Sequence, residues 1–376
     1  MSMSMSKVTL YGSSLSLYTG RARSYLIKSG IPYQENLPNS PRFAENVLPK
    51  MGERQSIPVI ETEDGEVIRD GAAIIDHYES NNGQRFSPVT PKQKTLSLLF
   101  DVIGAEGLLR PAMHYRWDFP KENLDFLTFH FETFMPPIPD RKEKAEKQMN
   151  RMRSAGQSFG AVATNFELIE SLYETLIDKL DQHFAQHPYL LGNKPCIGDF
   201  GLIAPFFGHL GRDPVAIRLL QTKAIRLFRW VERMNRPDPD CGEFGPAAEE
   251  YLAGDEIPDS LIEVLKHIAL DFVPETTAAV ATINQWLEEN QAMPSNTVAE
   301  RHVGFTEFDV METKVQAIAQ PYRFYLLSRM QDFVDSLPDQ EKTSAQELLQ
   351  QCGMESILSI RLTRGIGRNN NREVWL

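Results

Sequence analysis

The chain has few cysteines and no long apolar segment among its 376 residues. Its three cysteines, Cys196, Cys241 and Cys352, are widely separated, so neither a CxxC pair nor zinc-site spacing occurs. The longest apolar run, near residues 201–207, is far too short to span a bilayer. Residues 1–6 alternate Met and Ser and lack the basic and apolar regions of a signal peptide. We therefore expect a cytoplasmic protein, with no metal site and no membrane partner.

Basic residues are also in deficit. The sequence has 39 Lys and Arg against 51 Asp and Glu, a formal net charge of −12, and a pI near 5.3. Proteins that bind nucleic acid concentrate Lys and Arg on one face, so nucleic acid is not an expected partner. Two local basic runs, residues 141–153 and 361–372, are typical of a solvated helix and a solvated tail. The length predicts two or three domains.

The most informative motif is Gln-Ser-Ile-Pro-Val-Ile at residues 55–60, followed by Asp-Gly-Ala-Ala-Ile-Ile at residues 70–75. A proline ahead of an apolar β-branched run marks a strand start or a tight bend, and the bond between Ile57 and Pro58 is a candidate cis peptide. Such a bend leaves the N–H and C=O of Ile57 free to pair with an extended peptide. The motif therefore predicts peptide capture.

Apolar periodicity and turn signals around this motif predict a β-α-β-α-β-β-α order. Gly30 ends the first helix, and Asp64-Gly65 is a strong hairpin signal. The predicted strands are residues 8–11, 33–37, 59–62 and 66–69, and the predicted helices are residues 20–29, 41–50 and 70–80. This is the order of a thioredoxin-like domain.

At this point the sequence resembles the soluble glutathione S-transferase superfamily with a serine-type site. The resemblance covers about residues 7–234. It rests on Leu10-Tyr11-Gly12-Ser13 with Ser16, on residues 57–60, on the helix start at 70–78, and on residues 188–200 and 208–214, which look like the entry to the family's central helix.

The resemblance implies an α/β plus all-α fold in two parts, and the chain continues beyond it. We expect a thioredoxin-like glutathione-binding domain at 7–85, an all-helical transferase C-terminal domain at 91–236, and an extra α+β extension at 237–376. Within the extension, periodicity predicts helices at 259–272, 276–290, 321–337 and 343–352, a β-hairpin within 303–319, and a basic tail.

In the resembling family glutathione binds along the cis-proline loop, which implies that Ile57 and Pro58 contact it. Its thiol lies beside the first helix, where a hydroxyl that donates a hydrogen bond to the sulfur favours the thiolate. Ser16 is the candidate catalytic donor, and its role is electrostatic. Serine and threonine in such loops also serve as turn and N-cap residues. The competing hydroxyls in this stretch are those of Tyr11, Ser13, Ser14, Tyr18 and Thr19, of which Tyr11 is more typical of a strand residue.

Asp70 and Gly71 stand where the family usually has an acidic residue followed by Ser or Thr. In relatives, that hydroxyl side chain and its N–H hold the γ-glutamyl carboxylate at a helix N-terminus. Gly71 keeps the N–H and Asp70 can pair with the α-ammonium, so we expect binding weakened by one charged hydrogen bond, about 1.5–3 kcal/mol. A plain helix N-cap is the alternative role of Asp70.

The hydrophobic substrate is expected between the domains, against the first helix of the second domain. His114, Tyr115 and Trp117 form the predicted acceptor wall there, although such a cluster is also typical of core packing. Cys196 stands where Ser or Thr usually caps the central helix, and we interpret it as structural, with Asp199 as a buried cap partner.

Together these features predict a glutathione transferase-like enzyme. Glutathione is the expected cosubstrate, a small hydrophobic electrophile is the expected acceptor, and the resemblance implies a homodimer. The alternative is a non-catalytic protein of the same fold that has lost glutathione, an alternative that Gly71 keeps open. A disulfide reductase is disfavoured because the loop before the first helix has no cysteine.

Overall fold

The computed structural model describes residues 7–52 and 56–376. The Met-Ser repeat at residues 1–6 and Gln55 of the proline motif lie outside the described residues. Within the described segments, no helix combines the length and the apolar character that crossing a bilayer requires.

The N-terminal domain is a four-stranded sheet flanked by helices. The strand order is β2-β1-β3-β4, in which β1 and β2 are parallel and the other pairs are antiparallel. The strands are β1 (Val8–Tyr11), β2 (Tyr33–Asn36), β3 (Val59–Glu61) and β4 (Val67–Arg69), and the helices are α1 (Leu17–Ser29) and α2 (Gly71–Asn81), with an irregular helical segment at 43–51. This confirms the predicted thioredoxin-like order.

Short-range signals place the ends of these elements. Gly30 ends α1 in the left-handed conformation at φ 69°, which a residue without Cβ adopts at little cost. Asp70 caps the start of α2. Leu10 and Ile60 pair across β1 and β3 and pack against Ile74 of α2, so the sheet holds the start of β3 close to the start of α2.

A helical domain follows the sheet, and its centre is a fully buried helix. The helices are α3 (Pro91–Val102), α4 (Leu109–Trp117), α5 (Pro120–Phe134), α6 (Arg141–Ser158), α7 (Phe166–Phe184), α8 (Ile197–Pro205), α9 (Pro214–Lys223) and α10 (Ile225–Met234). Every residue of α8 is buried. At its start, Asp199 accepts hydrogen bonds from the N–H of Cys196 at 2.9 Å and from Trp230 Nε1 at 2.9 Å, which confirms the buried cap partner.

The extension adds three helices, a two-stranded hairpin and a three-stranded sheet. The helices are α11 (Asp259–Glu289), α12 (Pro321–Ser336) and α13 (Asp339–Gln351), and the strands are β5 (Thr297–Val298), β6 (Phe305–Val310), β7 (Thr313–Ile318), β8 (Ile366–Asn369) and β9 (Arg372–Trp375). The β6–β7 hairpin confirms the strand alternation seen in the sequence. The limits proposed for the three domains stay a prediction.

The expectation of two helices between residues 259 and 290 is wrong, because α11 continues through Pro274. A proline in a helix interior removes one hydrogen bond and crowds the preceding turn. Apolar residues are buried against the core on both sides of it, Ile268 and Phe272 before and Ala279 and Ile283 after. This packing stabilises both halves of one helix across the proline.

The expectation of a solvated basic tail at residues 361–372 is also wrong. Residues 366–375 form the β8–β9 hairpin, and β9 also pairs with β5. Asn370 and Asn371 have positive φ values of 47° and 63°, the conformation that a two-residue type I′ turn requires. Consecutive asparagines were the sequence signal for this hairpin.

Candidate functional site

The proline motif presents unpaired main-chain groups next to the start of α2. The bond between Ile57 and Pro58 is cis, as the sequence indicated. Ile57 is half-buried, and no residue in the described part of the chain pairs with its N–H or C=O. Pro58 C=O accepts a hydrogen bond from the N–H of Asp70 at 2.9 Å. An extended peptide along this loop therefore finds one free donor and one free acceptor beside Asp70.

The loop before α1 carries the candidate hydroxyls. Ser16 is the N-cap of α1, and its Oγ accepts a hydrogen bond from the N–H of Thr19 at 3.2 Å, so its own O–H is free to donate. Thr19 Oγ1 in turn accepts from the N–H of Ser13, and Ser13 Oγ accepts from the N–H of Leu15. Tyr18 donates its O–H toward the helical domain instead. Ser16 thus combines the N-cap role with a free donor, and its catalytic role stays a prediction.

Arg116 of α4 holds this loop, and sequence reasoning missed it. Its Nη1 donates to Leu15 C=O at 2.9 Å, and another donor reaches Gly208 C=O. The guanidinium also pairs with Asp213 through two hydrogen bonds, at 2.6 and 3.0 Å, with both side chains buried. The sequence offered one signal for this contact. An arginine in a helix that is buried on all sides, as α4 is, needs a buried acidic partner.

Asp70 has a strained backbone and accepts hydrogen bonds through both carboxylate oxygens at the start of α2. Its φ of 87° is unusual for a residue with a Cβ and costs about 1–3 kcal/mol. Oδ1 accepts from the N–H groups of Ala72 and Ala73 at 2.9 and 3.2 Å, and Oδ2 accepts from the Tyr322 hydroxyl at 2.8 Å. Burial alone would raise the pKa of this carboxyl, but three arginines and the Tyr322 hydrogen bond hold that pKa below its usual value. The arginines are Arg368, Arg69 and Arg21.

The surroundings of Gly71 leave little room for a side chain at this position. A Cβ there would lie 3.2 Å from Arg21 Cδ and 3.3 Å from the Tyr18 carbonyl oxygen. Both distances are tight, and the carbonyl belongs to the backbone of α1. The same contacts bring the starts of α1 and α2 together. Arg21 pairs with Asp101 through Nη2, while its Nε and Nη1 are buried without a partner among the described residues.

Glu106 is a second group that sequence reasoning missed. It lies in a π-helical turn between α3 and α4 with 2% of its surface exposed. Its Oε1 accepts from the Tyr18 hydroxyl at 3.2 Å, and its Oε2 has no partner in the described residues. Burial raises the pKa of Glu106 to about 7, against the opposing effects of Arg323 and the Tyr18 hydrogen bond. Glu106 therefore titrates near neutral pH.

Changing Glu106 to Gln is expected to alter how stability depends on pH. The folded-state pKa of about 7 exceeds the ordinary value of 4.5, so the folded protein holds this proton more tightly than the unfolded chain does. That contribution is complete below about pH 4.5 and is lost as the pH rises through 7. From pH 5 to pH 8 the unfolding free energy of Glu106→Gln, relative to wild type, should rise by roughly 3 kcal/mol. Urea unfolding at both pH values measures this difference.

The exposed residue Glu347 of α13 provides the control for this comparison. Its substitution Glu347→Gln should give the same difference from wild type at both pH values. If the difference in unfolding free energy between Glu106→Gln and wild type is also the same at both pH values, Glu106 ionises near its ordinary pKa.

Comparison with protein families decides the relationship of the N-terminal domain. Residues 10–86 match the model of the glutathione S-transferase N-terminal domain. This match concerns residues 10–86, and we call this segment the transferase domain after the family that it resembles. It contains Ser16, the cis-proline loop and the start of α2, so the candidate residues for glutathione lie within it.

Solved structures to which the chain is distantly similar include two glutathione transferases and a beta-etherase. Glutathione transferase GSTFuA3 from Phanerochaete chrysosporium has a TM-score of 0.44 and 15% identity, covering 62% of this chain and 98% of that one. Beta-etherase LigF from Sphingobium sp. strain SYK-6 has a TM-score of 0.41 and 17% identity, covering 63% and 98%. Glutathione transferase URE2P6 from Phanerochaete chrysosporium, in complex with oxidized glutathione, has a TM-score of 0.37 and 14% identity, covering 65% and 97%. No curated protein matches the chain. Likenesses this distant carry no argument about the fold or the substrate of this protein.

Two residues of the acceptor wall predicted for the transferase fold pack inside the helical domain. His114 and Tyr115 are 1% and 2% exposed. The ring nitrogens of His114 lie 3.0 Å from Asp118 Oδ2 and 2.9 Å from Glu170 Oε1. The Tyr115 ring stacks on that of Phe119 with centroids 5.6 Å apart. These contacts are those of core residues, and contact with a substrate stays a prediction.

Trp117 is the one member of that wall that approaches the hydroxyl-bearing loop. It packs in the same apolar cluster as Leu15 and Met113, at the contact between the transferase domain and α4. Its Nε1 is buried without a hydrogen-bond partner among the described residues. The structure thus places Trp117, which is also buried, in one apolar cluster with Leu15, the residue before Ser16. It places His114 and Tyr115 against α7 instead.

Proposed function

We propose that the protein is a glutathione transferase-like enzyme that activates the glutathione thiol for attack on a hydrophobic electrophile. The observation that carries this proposal is that the N–H and C=O of Ile57, a half-buried residue beside Pro58 in the transferase domain, pair with none of residues 7–52 and 56–376. An unpaired N–H and C=O in an extended segment bind a peptide by strand addition. The cysteinyl residue of glutathione is the portion of the tripeptide that fits this role.

The start of α2 would hold the γ-glutamyl end. The N–H of Gly71 lies at the N-terminus of this helix, where the helix dipole favours a carboxylate. Asp70 is ionised beside it and would accept a hydrogen bond from the α-ammonium group. Together Ile57, Asp70 and Gly71 would orient the tripeptide so that its sulfur points toward the loop before α1.

Ser16 would stabilise the thiolate at that loop. Its Oγ accepts the N-cap hydrogen bond of α1, and its O–H has no acceptor in the part of the chain that the structure describes, so it is available to donate. A hydroxyl donor and the N-terminus of α1 both favour the charged form of a nearby thiol and so lower its pKa. Ser16 forms no covalent bond: the sulfur attacks the electrophilic carbon, and Ser16 stabilises the negative charge before the attack.

Changing Ser16 to Ala is expected to lower kcat/KM for conjugation of glutathione to a generic aryl halide by about 10- to 100-fold. This range corresponds to the loss of one hydrogen bond to a charged group, about 1.5–3 kcal/mol. The pKa of bound glutathione, read from the pH dependence of kcat/KM, should rise in the same variant. Ser13→Ala provides the control, because the Ser13 Oγ accepts a hydrogen bond within the same loop. A fall of less than threefold in Ser16→Ala would remove Ser16 from the mechanism.

A non-catalytic protein of the same fold is the second candidate, and one observation favours it. The Asp70 carboxylate already accepts three hydrogen bonds within the protein and is 9% exposed, which leaves little of it for a ligand. Titration calorimetry with glutathione separates the two candidates. No heat of binding at millimolar glutathione would overturn the enzyme and leave a protein that uses this fold to bind something else. The homodimer and the cytoplasmic location stay predictions.

A further inference from the structure

The extension reaches the start of α2 through Tyr322. This residue lies in the first turn of α12, outside the segment that matches the transferase domain, and its hydroxyl donates to Asp70 Oδ2 at 2.8 Å. Asp70 and Tyr322 are 252 residues apart in the sequence. A residue of the extension therefore contacts the Asp70 carboxylate, which in the proposed function binds the α-ammonium of the γ-glutamyl group.

Buried contacts fix the start of α12 in this position. Arg323 donates to Glu106 C=O and to Thr276 Oγ1, each at 3.0 Å, and pairs with Glu275 at 2.9 Å. Tyr322 is thus followed by a side chain that ties α12 to α11 and to the turn after α3. The hydroxyl of Tyr322 is presented by a well-anchored helix.

Arg329, two turns later, fastens α12 to the transferase domain itself. Its guanidinium pairs with Asp76 of α2 and with Asp101 of α3, the latter at 3.2 Å. Asp101 is also the partner of Arg21, which crowds Gly71. The extension and the start of α2 therefore share one network of ion pairs.

We propose that Tyr322 is a positioning residue of the glutathione site, which orients the carboxylate of Asp70 from the extension. The proposal rests on the proposed function. A carboxylate oxygen has two lone pairs, so Oδ2 that accepts from Tyr322 retains one for the α-ammonium of the γ-glutamyl group. The Tyr322 hydrogen bond holds the carboxylate plane, and Oδ1 is held by the helix N-terminus. Asp70 is thereby presented in a single orientation.

The test is the Tyr322→Phe variant of the full chain. Losing this hydrogen bond to a charged group is expected to raise KM for glutathione about 10-fold. The value of kcat should stay within twofold, because Tyr322 acts on binding and lies away from the sulfur. In an Asp70→Asn background, Tyr322→Phe should have no further effect on KM, because Tyr322 acts through the Asp70 carboxylate. A general loss of structure would instead raise KM further in the double variant.

Tyr325→Phe is the matched control. Tyr325 lies on the same helix with its ring 5.9 Å from that of Tyr322, and its hydroxyl has no hydrogen-bond partner among the described residues. This variant should leave KM unchanged. If Tyr322→Phe lowers the thermal midpoint by several degrees, Tyr322→His is the second variant. Its ring N–H is expected to keep part of the affinity.

The outcomes separate this inference from the proposed function. Wild-type protein without glutathione binding overturns both. Wild-type protein that binds glutathione, with equal KM in Tyr322→Phe, overturns the role of Tyr322 alone. A lower KM in Tyr322→Phe would also overturn it, since Tyr322 would then compete with glutathione for Asp70.

Discussion

Changing Glu373 to Ala is expected to lower the free energy of unfolding by about 3–5 kcal/mol. The Glu373 side chain is 1% exposed and receives Arg69 Nη2 at 2.8 and 2.9 Å and Arg368 Nη1 at 2.6 Å. Removing the carboxylate leaves the guanidinium groups of Arg69 and Arg368 without this negatively charged partner. Both groups lie at the contact between β4 and the β8–β9 hairpin. A buried charge without its partner costs far more than the pair contributes. Urea unfolding at constant pH measures the loss.

Glu312→Ala is the control for this prediction, because Glu312 is exposed in the turn of the β6–β7 hairpin. It should change the unfolding free energy by less than about 0.5 kcal/mol. A loss below about 1 kcal/mol in Glu373→Ala, the range of surface ion pairs, would mean that water reaches this contact in solution.

The same contact protects an edge of the sheet. β4 is an edge strand, and its outward main-chain groups would otherwise be unpaired. Asn371 accepts from the N–H of Arg69 at 3.1 Å and donates to Val67 C=O at 2.7 Å, as a neighbouring strand would. The β8–β9 hairpin thus contacts β4 as a fifth strand would, and Glu373 stabilises this contact.

Changing Asp213 to Asn is expected to cost a similar amount, about 3–5 kcal/mol, and to reduce conjugation activity as well. Asp213 and Arg116 are buried, with 0% and 4% of their side chains exposed. The neutral amide would leave the Arg116 cation without a counter-charge. Because Arg116 also binds Leu15 C=O, its displacement would move the loop that carries Ser16. Urea unfolding and kcat/KM for conjugation, measured on the same preparation, test the two effects.

Asp125→Asn is the matched control, since Asp125 is exposed on α5. It should leave both stability and activity unchanged. If Asp213→Asn loses stability but keeps wild-type activity at a temperature where it is folded, Arg116 does not control the position of the loop.

Short-range patterns in the sequence predicted most of the transferase domain. The alternation around β1 and β3, the Asp64-Gly65 turn and Gly30 at the end of α1 each act over a few residues, and each was interpreted correctly. The β6–β7 hairpin followed from the same kind of signal. The continuous α11 was missed because Pro274 disfavours a helix locally, whereas packing on both sides of it favours one.

The polar contacts of the candidate site were not predictable in this way. Sequence reasoning placed Ser16, Ile57 and Asp70 in one domain, but it identified neither Arg116 behind the loop nor Tyr322 on the carboxylate. Arg116 was passed over in favour of its neighbours because an aromatic cluster suggests a substrate surface. Its role depends on Asp213, about one hundred residues away in the chain.

The sequence alone determined the thioredoxin-like order, the cis-proline bend and the hairpin within residues 303–319, because periodicity, turn chemistry and proline geometry act on neighbouring residues. Only the tertiary structure decided that the extension folds back onto the start of α2, and that Glu106, Arg116 and Tyr322 surround the candidate site. A buried charge or hydroxyl is satisfied by whichever partner lies nearest in space. A linear sequence records that the group is polar, but it does not record which distant residue the fold brings to it.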